Sequence, residues 1–106
     1  MSERFKLVWF APEDALDVTR TAVFEAGAGT IGEYERCSWC AAGTGTFVGG
    51  EGSDPTIGER GREERVPEFR VETVVSAHLL ADVVAALRAA HPYEEPAYDV
   101  YPLLHA

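Results

Sequence analysis

The segment from Arg88 to Pro102, RAAHPYEEPAYDVYP, sets a histidine, two adjacent glutamates, an aspartate and three tyrosines among three prolines. Imidazole and carboxylate groups at this density suggest metal ligation or acid/base chemistry. His91, Glu94 and Glu95, with Asp99 behind them, offer the donors that suit zinc or another divalent ion. The same residues also fit a rigid corner. A histidine in the last turn of a helix interacts favourably with the carbonyl end when protonated, prolines fix the turn, and the two glutamates solvate it. The corner is the preferred reading, and a tentative metal site at His91, Glu94 and Glu95 stays open beside it.

The other candidates carry less. CSWC, Cys37 to Cys40, is half of a structural zinc motif, but four ligands are needed and no second cysteine pair exists. Residues three apart on a strand also project to opposite faces, so two half-buried strand cysteines are the simpler expectation. Gly43, Gly45 and Gly49 open a glycine-rich segment with no Gly-Lys-Ser/Thr and no helix behind it, which phosphate cradling would need. No serine or cysteine is tied by spacing to His78, His91 or His105, so no nucleophile with a base can be assembled, and no catalytic residue is assigned.

These groups must be positioned by a single domain, residues 1–106, with 46% apolar and 25% charged residues. Nine basic residues against eighteen acidic ones leave a net charge of −9, and a field of that sign opposes nucleic-acid phosphate. No apolar run approaches the roughly 18 residues that span a bilayer. The first residues read as a strand rather than a signal peptide. A cytoplasmic location with reduced cysteines and no membrane partner is expected.

FKLVWF, Phe5 to Phe10, is apolar on both parities and reads as a strand buried on both faces or at an oligomer contact. Pro12, Glu13 and Asp14 start a helix that Gly27 stops, with Leu16, Thr19, Ala22, Val23 and Ala26 on its inner stripe. IGEYERCSWCAA, Ile31 to Ala42, is expected to form the second strand. The segment 43–61 holds seven of the ten glycines and is expected to be a long, partly extended loop, a mobile arm over a ligand or toward a neighbouring subunit. Val66 to Val75 alternates strictly, with Phe69, Val71, Thr73 and Val75 on one face and Glu68, Arg70 and Glu72 on the other. Ser76 is placed to cap a second helix, which ends at His91 because the residue before a proline leaves the helical region. Ala97 to Leu104 forms the last strand. The order βαββαβ predicts an α+β, ferredoxin-like sandwich: a four-stranded antiparallel sheet with both helices on one face. Trp9, Trp39 and the tyrosines are available to cover the bare face by self-association.

Four ordered motifs add a resemblance. GAGTIGEYERCSW, GTGTFVGGEGSDPTIGERG, EERVPEFRVETVV and AAHPYEEPAYDVYPL, from Gly27 to Leu103, resemble the inserted domain of the Nif-three-like dinuclear-metal hexameric proteins, also labelled GTP cyclohydrolase type-two homologs. CutA-like proteins, which form trimers, carry a similar segment, matched by His91, Pro92, Tyr93, Glu94 and Pro96. The resemblance implies a CutA-like or PII-like ferredoxin fold, with the glycine-rich segment where PII proteins carry their effector-responsive loop. No recognisable counterpart of their ATP-binding residues is present. In the full-length family the metals are held in flanking lobes, so no metal ligand is carried over. What the resemblance implies is a stand-alone, non-enzymatic homo-oligomeric binding or regulatory module, a trimer favoured, its ligand a metabolite, a metal ion or a protein. The alternative is divalent-metal binding in the CutA manner through His91 with Glu94 or Glu95. Nucleotide hydrolysis rests on the parent label alone.

Overall fold

The alternating segments become a four-stranded antiparallel sheet in the computed structural model, which describes residues 3–104. Strand β1 (Arg4–Ala11) leads into helix α1 (Glu13–Glu25), and β2 (Ser38–Val48) and β3 (Glu63–Ser76) form a long hairpin. Helix α2 (Leu80–Ala90), entered through a 3-10 turn at Ala77–Leu79, leads to β4 (Tyr98–Leu103). The spatial order β2-β3-β1-β4 means that each helix carries the chain past one strand to a parallel one beyond it. This is the split βαβ arrangement that the element order predicts.

Local chemistry sets the element ends. Pro12 precedes α1 in an extended conformation, and Glu13 and Asp14 sit in its first turn, where the helix dipole favours negative charge. At the far end Gly27 adopts φ +111°, its N–H bonds to the Phe24 carbonyl, and the Ala28 N–H bonds to the Val23 carbonyl. That pair of bonds is a Schellman cap, and it places Gly27 directly beneath Leu79.

The core lies between the helices and the odd-numbered face of β1. Leu7, Trp9, Val71 and Val75 from the sheet meet Val23, Val83 and Leu87 from the helices, and all are fully or almost fully buried. Each such side chain contributes roughly 1.5–3 kcal/mol of transfer free energy. Val8, on the other parity, is buried as well, so β1 is apolar on both faces as its sequence indicates.

Four local expectations differ from the structure. Trp9 belongs to the core rather than to the bare face. Its Nε1–H donates to Thr19 Oγ1 at 3.0 Å, and the Thr19 hydroxyl donates to the Ala15 carbonyl at 2.7 Å. The second strand starts at Ser38, not Ile31, because Gly32 and Arg36 take positive φ and Ile31 and Tyr34 close a tight two-residue pair instead. It then runs on through Gly43 and Gly45 to Val48, so the irregular segment is confined to 49–62. Glycine usually weakens a strand because it leaves nothing to pack. Here the Glu68 side chain of β3 lies across Gly45 in the space a side chain would take. Ser76 makes no side-chain cap; the chain enters α2 through the 3-10 turn, whose first N–H bonds to the Glu3 carbonyl.

Candidate functional site

The corner between α2 and β4 is built around His91, which is 6% exposed. The residue before Pro92 is driven out of the helical region and takes φ −78°, ψ 136°. This turns the imidazole back over the end of β1. Its Nε2 lies 2.7 Å from the Phe10 carbonyl oxygen, and its Nδ1 accepts the Tyr93 N–H at 3.1 Å. A carbonyl can only accept, so Nε2 carries the proton and Nδ1 does not. The ring is therefore the neutral Nε2–H tautomer, with both nitrogens occupied by backbone. The Tyr93 ring meets it edge-on at 4.8 Å.

The two glutamates diverge from that ring. Glu94 accepts the Asp54 N–H, with Oε2 at 2.8 Å. Glu95 has a side chain 81% exposed, 3.9 Å from the Arg88 guanidinium. Asp99 sits on β4 opposite Val8, and His78 lies exposed in the 3-10 turn. His105 lies outside the described residues. Among the described residues no three metal-capable side chains converge. Cys37 is a half-buried free thiol just before β2, and Cys40 is an exposed one on that strand.

The corner and the glycine-rich loop meet, which the sequence did not reveal because the partners are about forty residues apart. The neck of the loop is tied by the Gly61 N–H to the Gly49 carbonyl at 2.7 Å, and Arg60 Nε donates to the Ser53 carbonyl at 2.6 Å. Its tip is pinned to the corner by Glu94 and by Thr56 Oγ1, which donates to the Pro92 carbonyl at 2.9 Å. Between loop and corner lies a cleft of about 300 Å³, walled by Phe47, Pro55, Ile57, Tyr93 and Ala97, with Glu68 and Glu94 reaching into it.

The Tyr93 hydroxyl donates to Glu68 Oε2 at 3.0 Å. Partial burial, then the hydrogen bond and charge of Glu68, push its phenol above the ordinary tyrosine range. The folded chain thus holds this proton more tightly than the unfolded chain. The resulting stabilisation is present in full below about pH 10 and is lost as pH rises beyond it. Thermal midpoints measured from neutral to alkaline pH should fall less steeply for Tyr93→Phe than for the wild type; parallel alkaline limbs would rule out this linkage.

The GTP cyclohydrolase 1 type 2 homolog of Mycobacterium tuberculosis strain H37Rv is 54% identical over 99 residues, covering 93% of this chain and 26% of that protein. A Bacillus cereus protein related to NIF3 superposes with a TM-score of 0.84 at 47% identity, over 96% of this chain and 26% of its own. The chain is homologous to one segment of these NIF3-related proteins. It spans about a quarter of the length of the curated relatives it matches. No family model matches the chain. The divalent cation tolerance protein CutA of Archaeoglobus fulgidus covers 97% of the chain and 86% of its own, with a TM-score of 0.70 at 16% identity. At that identity the likeness shows the fold alone. The CutA-like sandwich is thereby borne out.

Proposed function

We propose that this NIF3-related segment is a homo-oligomeric binding or regulatory module, a trimer favoured, that assembles through the outer strand of its sheet. The observation that carries this is β2. It is an edge strand of eleven residues, SWCAAGTGTFV, without one charged residue or proline, in a chain that is 25% charged. Edge strands expose unpaired backbone donors and acceptors, and monomeric proteins blunt them with lysine, proline or a bulge. Trp39 on this strand is 60% exposed, and Tyr101 on the opposite edge strand is 45% exposed. Both project from the helix-free face. An edge that meets a different edge on the next copy makes a heterologous contact, which closes into a ring when the rotation between copies divides a full turn.

The reading is non-enzymatic because the polar groups of the corner already hold structure, as the His91, Glu94 and Tyr93 bonds show. Divalent-metal binding in the CutA manner would have to free His91 from both of its backbone partners. Nucleotide hydrolysis has only the relatives' name behind it. No helix among the described residues is long and apolar enough to cross a membrane.

Sedimentation velocity tests the assembly. The wild type should sediment as an oligomer, and Trp39→Lys with Thr44→Lys should yield a folded monomer with an unchanged circular-dichroism spectrum. A wild type that stays monomeric across the concentration range would sink the proposal.

A further inference from the structure

We infer that the cleft between the loop and the corner binds a small organic cation, an amine carried on an apolar body. The inference rests on the reading of this segment as a binding module and names the chemistry of its ligand. At about 300 Å³ the cleft lies at the small end of pockets that take low-molecular-weight ligands. Phe47, Pro55, Ile57 and Ala97 give it an apolar wall, which a bare metal ion cannot use but a hydrocarbon body can.

The charge around that wall has one sign. Asp54, Glu68, Glu94 and Glu95 line the cleft, and no lysine, arginine or histidine does. Low-dielectric walls strengthen the field of such groups, so an anionic ligand is repelled and a cation concentrated. The acceptors are also only partly engaged. Glu68 Oε2 takes the Tyr93 hydroxyl while Oε1 lies over Gly45. Glu94 takes one backbone N–H at 2.8 Å through Oε2 and at 3.4 Å through Oε1. An ionised carboxylate has about four lone-pair sites, so each retains capacity for an ammonium donor. The carboxylates stand around the cavity rather than converging in a group of three, which disfavours a chelated ion. The shape is set in advance, because the loop wall is pinned to the corner wall by Glu94 and Thr56. A preformed site avoids the ordering cost of closing on its ligand.

The test is an NMR titration of the isotope-labelled chain with phenethylamine, with 3-phenylpropionate as the anion of similar shape, and with zinc alone. Phenethylamine should produce saturable shifts at the amides of Phe47, Ile57, Tyr93 and Ala97, and the anion should bind about tenfold more weakly or not at all. Ile57→Arg, which places a guanidinium in the cleft from an exposed loop, should abolish the amine shifts while leaving the rest of the spectrum in place. Three results overturn the inference: no saturable shift up to about 10 mM amine, equal affinity for the anion, or the same set of shifts from zinc alone. Sedimentation of the same samples separates the two proposals. An oligomer that ignores the amine removes the ligand and leaves the assembly, whereas a monomer that binds it does the reverse.

Discussion

His91→Ala should lower stability by roughly 3 kcal/mol, because it removes two hydrogen bonds and leaves the Phe10 carbonyl and the Tyr93 N–H facing a small void. A chain of this size has about 0.05–0.15 kcal/mol of stability per residue, so this is a large fraction of the total. The loss reads as a lower urea midpoint with an unchanged slope. The conservative variant separates hydrogen bonding from volume. His91→Gln carries an amide N–H2 able to reach the Phe10 carbonyl, and should recover part of the loss. Were His91→Ala to unfold at the wild-type midpoint, the imidazole would hold nothing together and its tie to β1 would be incidental.

The same residue shows how far the fold can be read from the chain. Helix termination at His91-Pro92 is a local steric matter, and so it is legible in the sequence. Where the ring points is decided by Phe10, eighty-one positions away, and no local pattern carries that information. Glu94 is a similar case, since its partner Asp54 lies in a segment whose composition says only that it is irregular. Alternation in β3 was legible because Val71, Thr73 and Val75 face the helices while charged residues face out. Gly43 and Gly45 were misleading for a physical reason. Their backbone favours a loop by composition, yet a cross-strand neighbour, Glu68, covers the gap at Gly45 and the ladder continues. The two tryptophans made the opposite ambiguity, both lying on strands and both apolar, and only the partner Thr19 on α1 assigns Trp9 to the interior.

That assignment leads to the other large effect. Trp9→Ala should cost roughly 3–5 kcal/mol, since it empties the largest fully buried side chain between the sheet and α1. At the lower end of stabilities for a domain of this size, that loss leaves the chain mostly unfolded. Trp9→Phe retains most of the apolar volume and removes the indole N–H, while Thr19 keeps its own bond to the Ala15 carbonyl. The remaining penalty is about 1–2 kcal/mol, a small cavity plus one buried hydrogen bond. Fluorescence reports both the burial and its loss. In the wild type, Trp9 should emit at short wavelength and resist acrylamide, while Trp39 at 60% exposure emits at longer wavelength wherever self-association does not cover it. Trp9→Phe should therefore leave a red-shifted, readily quenched spectrum in the monomer, and Trp39→Phe a blue-shifted, protected one. If the two variants exchanged these signatures, Trp39 would be the core residue, and the pairing of Trp9 with Thr19 would be wrong.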